Sequence, residues 1–399
     1  MKKILLLGGS AQQIIAIKTA KKLGFYTVLC DFLPDNPGQY EADKFYLVST
    51  TEKEKVLDVA RKENVDGILA YASDPAAPTA AYVAEKLGLP TNPYKSVETL
   101  CNKDKFRVFL KDNGFNAPVS ESYSNNDVDT SLFSLPVIVK PVDSSGSKGA
   151  TVLKDWSGLQ EACNFAFSFS RSHHIIVEEY IEKKHKYLIG GDIFVYNEKV
   201  ILWGLLNCHR DSHVNSLVPV GKSFPLLLDQ QDKIQVENTL QNMINKLGIR
   251  FGSVNVELVV DNDGKVWPID VGPRAGGNMI PDLLSYIFGV DVVEMAVLTA
   301  MGENFDNVIN EGIPYYATHN LHTDKNGIYQ TIDFSNELNE KIIKKCLYKK
   351  SGDKVEFFDN ASKALGVIFM KFNSLTEMEK FLDNINTYYE VILEDNLYD

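Results

Sequence analysis

Ile4 to Leu7 is a wholly apolar run that breaks at Gly8-Gly9-Ser10, and apolar residues then recur at helical spacing from Gln12 to Leu23, where Gly24 stops the pattern. This predicts strand, turn and helix. A second apolar strand, Tyr26 to Cys30, ends at Asp31; helix Glu52 to Glu63, strand Gly67 to Ala70 and helix Pro78 to Leu87 repeat the rhythm. Strands that are apolar throughout and alternate with helices predict a parallel sheet covered on both faces, an α/β unit over residues 1–95. A helix from Val97 to Asn113, carrying Lys103 and Arg107, is expected to lead out of it. From Pro136 the rhythm becomes α+β: strands Val137 to Lys140, Ala150 to Leu153, Ile175 to Tyr180, Leu188 to Val195 and Lys199 to Leu206, a helix from Asp229 to Leu247, then strands Gly252 to Asp261 and Lys265 to Val271.

The last two strands carry the sharpest chemical inference. Asp-Gly is a preferred pair for a two-residue hairpin loop, and a loop at Asp263-Gly264 sets Glu257 opposite Asp270 on one face, with Cβ atoms about 4.5–5.5 Å apart. Like charges so placed on an apolar hairpin call for solvent or a cation between them, and two carboxylates suit Mg²⁺. A second constellation is the apolar strand that delivers Lys140 before Pro141 and the loop Asp143-Ser144-Ser145-Gly146-Ser147-Lys148-Gly149. An ammonium with backbone N–H groups can surround a polyphosphate, although strand follows this loop where a P-loop requires helix. Gly8-Gly9-Ser10 with Asp31 imitates a dinucleotide fingerprint, but Ser10 and Gln13 stand where that pattern needs Gly, so a tight turn able to take an anionic substrate group is the reading kept. His209 and His213 lack the glutamate and the helix of a zinc motif; a loop bearing His209 and Arg210 serves better in acceptor recognition.

A chain of 399 residues with 44% hydrophobic and 24% charged residues is ordinary globular material for two or three domains. Its formal charge of −12 argues against a nucleic-acid partner. Five scattered cysteines without a C-x-x-C pair suggest neither disulfides nor zinc, which fits a reducing cytoplasm, and no apolar run of about 20 residues suggests a membrane partner.

In order and spacing these pieces resemble an ATP-grasp ligase of the group containing biotin carboxylase, the carbamoyl-phosphate synthase large subunit, carboxyaminoimidazole ribonucleotide synthetase, the phosphoribosylglycinamide synthetase and transformylase type of purine enzyme, and the L-amino acid ligases. The resemblance rests on Cys30-Asp31-Phe32-Leu33-Pro34-Asp35-Asn36-Pro37-Gly38, on Asn102-Lys103, on Lys140 with its Ser/Gly loop, on Glu178-Glu179-Tyr180-Ile181, and on Glu257 with Asp270-Val271-Gly272-Pro273-Arg274. It implies an N-terminal parallel-sheet pre-ATP-grasp domain over 1–95, an ATP-grasp fold over 96–310 with a mobile lid at about 131–182, and the rest of that lobe over 311–399.

The resemblance further implies that Lys103 and Lys140 meet the phosphates of ATP. Ser144, Ser145, Gly146, Ser147 and Gly149 would cover them, and Glu178, Glu179 and Ile181 would read adenine, with the Glu178 carboxylate near the exocyclic amine. Glu257 and Asp270 would hold one or two Mg²⁺ ions, Gly272 standing where a metal-binding Asn is usual, and Arg274 would face the acyl phosphate or acceptor. Asp192 is the stand-in for a ribose-binding acid. Gly8, Gly9, Ser10, His209, Arg210, Gly276 and Gly277 are the substrate candidates. The implied activity joins a small-molecule carboxylate to an amine at the expense of ATP, and a homodimer is left open. A purine-pathway enzyme with a ribonucleotide acceptor, a nicotinamide-dependent oxidoreductase built on Gly8 to Asp31, and a nucleotide-binding module without turnover are the competing readings.

Overall fold

The computed structural model describes residues 1–211, 213–305 and 309–394. Strands β1 (Lys3–Leu7), β2 (Tyr26–Asp31), β3 (Lys44–Leu47) and β4 (Gly67–Leu69) form a parallel sheet in the order β3-β2-β1-β4. Helix α1 (Ile14–Lys22) connects β1 to β2, α2 (Lys53–Glu63) connects β3 to β4, and α3 (Ala77–Leu87) follows β4. Ile4 to Leu7 and Val28 to Cys30 are almost completely buried, as expected of a sheet covered on both faces.

The helix expected over 97–113 is two helices, α4 (Tyr94–Leu100) and α5 (Lys103–Asp112). Asn102 between them is extended (φ −133°, ψ 116°), and the Lys103 N–H donates to the Val142 carbonyl at 2.9 Å. A helix N-terminus leaves its first amides without intrahelical partners, so this tertiary acceptor rewards the break. The break turns Lys103 toward the Ser/Gly loop.

A small antiparallel sheet follows: β5 (Ser120–Tyr123), β6 (Val137–Pro141), β7 (Thr151–Leu153) and β8 (Ile175–Glu179), in the order β5-β8-β6-β7. Helix α6 (Leu159–Phe169) packs Ala162, Cys163 and Ala166 on Val137, Val139 and Val177. The unit takes in β5, upstream of the start expected for the lid.

The large sheet is built from β9 (Leu188–Tyr196), β10 (Lys199–Asp211), β11 (Asn215–Phe224), β12 (Phe251–Val260) and β13 (Val266–Gly272), with helix α7 (Gln230–Leu247) between β11 and β12. After helices α8 (Ile280–Phe288) and α9 (Val292–Ala300) come β14 (Tyr316–Leu321), β15 (Gly327–Phe334), α10 (Asn336–Asn339), β16 (Ile342–Leu347), β17 (Lys354–Val355), β18 (Gly366–Lys371), α11 (Leu375–Asp383) and β19 (Tyr389–Glu394). The order β13-β12-β9-β10-β11-β14-β18-β16 shows that the C-terminal strands complete this sheet, while β17-β15-β19 form a separate small one. His209 and Arg210, expected on a loop, are thus on strand β10, which pairs with β11.

Leu240 and Ile244 of α7 pack on Ile193, Val254 and Val256 on one face, and Leu283, Leu284 and Ile287 of α8 pack on Phe194 and Leu206 on the other. Val293 and Val297 of α9 meet Ile4 and Ile17, which fastens the parallel sheet to the larger lobe. Among the described residues no single helix is long and apolar enough to cross a membrane.

Candidate active site

The chemistry gathers where the two sheets face each other, around a cavity of about 950 Å³. Glu257 and Asp270 are direct cross-strand partners, as expected, but not by the expected turn. Near the turn Val260 pairs with Val266, Val259 with Trp267 and Leu258 with Pro268, so the connection is Asp261 to Lys265 rather than the two residues Asp263-Gly264. The register shifts between Glu257 and Leu258, where Ile269 is the extra residue of a β-bulge. Pro268, which has no N–H to give to the ladder, sits beside it. Both carboxylates open on the cavity. Arg210 Nη2 lies 3.4 Å from Glu257 Oε1, and Lys103 Nζ lies 3.8 Å from Asp270 Oδ2. Burial opposes charge on Glu257, yet Arg210 and Lys222 outweigh it and hold the carboxyl below its usual range. Both cation distances exceed those of a normal hydrogen bond, so the carboxylate lone pairs stay available to a hard cation and the donor set fits Mg²⁺.

Behind this hairpin lies a buried ionic cluster. Glu178 at the end of β8 accepts from Arg107 Nε (2.7 Å), Arg107 Nη2 (3.3 Å) and Lys140 Nζ (2.6 Å). Burial alone would raise the Glu178 pKa, but Arg107 and Lys140 overcome it and hold the value at about 2. Burial also holds the Lys140 ammonium below its usual range despite Glu178. Both oxygens of Glu178 are therefore engaged by cations, Lys140 among them, while the residue still lines the cavity. The Glu179 and Tyr180 N–H groups are taken by the Val119 and Pro136 carbonyls, and Ile181 lines the cavity next in line.

Ser144 to Lys148 and Ala150 line the opposite wall. Lys103 Nζ donates to the Ser144 carbonyl at 2.7 Å, and Ser147 Oγ to the Leu217 carbonyl at 2.8 Å. Gly149 does not line the cavity. A Cβ there would lie 2.9 Å from Pro141 Cγ at φ +74°, so its place is structural, at the foot of the loop.

At the far end, Arg274 does not reach freely into the cavity. Its Nε and Nη2 grip Asp74, on the loop after β4, at 2.7 and 2.5 Å, and Nη1 donates to the Ala275 carbonyl at 2.9 Å. Burial opposes charge on each partner, and each outweighs it for the other, leaving Asp74 low and Arg274 high. Asp74 is the largest omission of the sequence reading, since nothing in Ser73-Asp74-Pro75 marks it until tertiary structure brings it to Arg274.

Several expected contacts are structural instead. The amide N–H groups of Gly8, Gly9 and Ser10 are taken by the Cys30 carbonyl, Asp31 Oδ2 and Gln13 Oε1, and none of the three residues lines the cavity. That turn has no free amides for a substrate anion or a pyrophosphate, which removes the basis of the oxidoreductase reading. Gln12 reaches the cavity from the same loop. Asp192 is buried and accepts from the Gly276 N–H (2.7 Å) and Asn255 Nδ2 (2.8 Å), so it shapes the turn after β13 and is not a ribose ligand. Burial raises its pKa. A Cβ on Gly276 would lie 2.5 Å from Asp192 Oδ1, so this position too is structural, while Gly277 lines the cavity.

His209 and Arg210 line the cavity from β10. His209 Nε2 meets Ser223 Oγ at 2.8 Å, and burial, followed by Lys222, pushes its pKa down to about 3, so it is neutral. The C-terminal segment Leu382 to Thr387 closes this side, tied by Asn386 Nδ2 to Asp211 Oδ2 at 2.5 Å. No sequence motif pointed to it.

A family model described as an ATP-grasp domain matches residues 100–278. The formate-dependent phosphoribosylglycinamide formyltransferase of Prochlorococcus marinus is 33% identical over 189 residues, 45% of this chain and 48% of that protein. The chain spans between 25% and 48% of the length of the first curated relatives it matches. Among solved structures, the L-amino acid ligase from Bacillus licheniformis superposes with a TM-score of 0.82 at 20% identity, covering 99% of both chains. The phosphoribosylglycinamide synthetase from Anaerococcus prevotii gives 0.77 at 24% identity, covering 98% of this chain and 100% of that one. Residues 100–278 thus match an ATP-grasp domain model, and they sit in a fold that this chain shares along nearly its whole length with those two structures.

Proposed function

We propose that this chain is an ADP-forming carboxylate-amine ligase that activates a small-molecule carboxylate with ATP and passes the acyl group to an amine. The observation that carries the reading is the carboxylate pair Glu257 and Asp270, opening on the same cavity as Lys103, Lys140 and the Ser144 to Lys148 loop. Cations and amides on one wall and a hard-cation donor pair on the other suit a metal-bound polyphosphate between them. Mg²⁺ held by Glu257 and Asp270 would neutralise charge on phosphate oxygens during transfer. Lys140, pinned on Glu178, and Lys103, pinned on the Ser144 carbonyl, orient the triphosphate. The loop excludes water from it.

The substrate carboxylate oxygen attacks the γ-phosphorus as the bond to the β-phosphate oxygen breaks, leaving ADP and an acyl phosphate. The amine nitrogen then attacks the acyl carbon, phosphate departs with the bonding pair, and the nitrogen loses a proton. Arg274 and Asp74, with Gln12, Gly277 and Asn278, offer paired charge and polar groups to the carboxylate and its acceptor. Residues 1–95 and 311–399 frame this centre.

A screen for ADP release over paired amino acids, dipeptides and aminosugars tests the reading. With a productive pair, Asp270→Asn should keep the fold and lower Mg²⁺-dependent turnover by about 10²-fold or more. Turnover near the wild-type rate in that variant would sink it.

A further inference from the structure

Asp270 faces Glu257 only because of the bulge at Ile269. If the register set at the turn ran on unbroken, Glu257 would stand opposite Ile269, and Asp270 opposite Val256, which is completely buried on the core side. A one-residue slip sends every side chain of a strand to the other face. The metal-binding pair is thus a product of the bulge, and a bulge leaves the backbone of its extra residue outside the regular ladder.

One side chain holds that backbone. Arg107 Nη2 donates to the Ile269 carbonyl at 2.7 Å, while its Nε donates to Glu178 Oε1 at 2.7 Å. Arg107 is 2% exposed, and Glu178 is fixed in turn by Lys140. A planar guanidinium can serve two acceptors in fixed relative directions, which an ammonium on a flexible stem cannot.

We propose that Arg107 is a positioning residue for metal binding, holding the Ile269 bulge and thereby the Asp270 carboxylate in register with Glu257. It does not line the cavity, and it acts through a backbone carbonyl one residue from the ligand. The same fork links the segment that leads into the base-reading hinge to the metal hairpin. The inference rests on the assignment of Glu257 and Asp270 to a divalent cation.

The test uses Arg107→Lys, which keeps the charge beside Glu178 but loses the fork. Mn²⁺ binding is titrated in the presence of ADP, with ADP binding in EDTA measured alongside. Mn²⁺ affinity should fall by about 10- to 100-fold, the usual cost of removing a group that orients a metal ligand, with a much smaller change in metal-free ADP binding. Equal loss in both, or no loss of Mn²⁺ affinity, overturns the proposal. In the metal-free protein, hydrogen exchange over residues 266–272 should be faster in R107K than in wild type. A wild type that binds no Mn²⁺ with ADP defeats the ligase reading instead, and the exchange measurement then still decides whether Arg107 holds the bulge.

Discussion

Glu178→Gln is the most informative single perturbation of the site, because it removes the one negative charge that two buried cations share. The Glu178 carboxyl falls from an ordinary 4.5 to about 2 in the folded protein. Such a depression corresponds to about 3 kcal/mol of folding stability, present above pH 4.5 and lost as the pH falls through about 2. Lys140 works partly against this, since burial lowers its own pKa, while removing one member of a buried ion cluster typically costs 3–5 kcal/mol. The two considerations meet near a loss of about 3 kcal/mol at pH 7. Near pH 3 the wild-type carboxylate retains only about half of its advantage, so the gap between wild type and variant should halve. Urea denaturation followed by tryptophan fluorescence at pH 7 and pH 3 measures both gaps. An equal gap at the two pH values, or none at pH 7, would refute the argument, because either result means that Glu178 is not the ionised partner of Arg107 and Lys140.

Arg274→Lys keeps charge but loses the fork that grips Asp74, so KM for the carboxylate substrate should rise or kcat fall by about tenfold with little change in KM for ATP. Steady-state kinetics in which only ATP is affected would move Arg274 to the nucleotide site. Hydrogen exchange over Asp143 to Ala150 should slow when an ATP analogue and Mg²⁺ are added, because a loop over the phosphates has to open to admit ATP and release ADP. Unchanged exchange there would take the loop out of the phosphate site.

What the sequence determined by itself was whatever depends on local pattern. Apolar runs alternating with helical spacing gave the parallel sheet, since burial on both faces dictates composition residue by residue. Charged or polar groups at the ends of apolar strands pointed to Lys140, Glu257 and Asp270, because such placements carry a cost unless something meets them. The Glu257–Asp270 pairing was legible although the turn was misread: the loop is longer than two residues, and the Ile269 bulge restores the register lost there. A bulge has no sequence signature strong enough to read, since the hydrogen bond that steadies it comes from Arg107, far away in the chain. Tertiary structure alone decided the partners. It gave Arg274 to Asp74, Glu178 to Arg107 and Lys140, and the amides of Gly8 to Ser10 to their own turn. It also brought Leu382 to Thr387 to the cavity wall. Each of these depends on which groups meet after the chain has folded, and the hydrogen-bonding demand of a buried charge or amide can be met from any point along 399 residues.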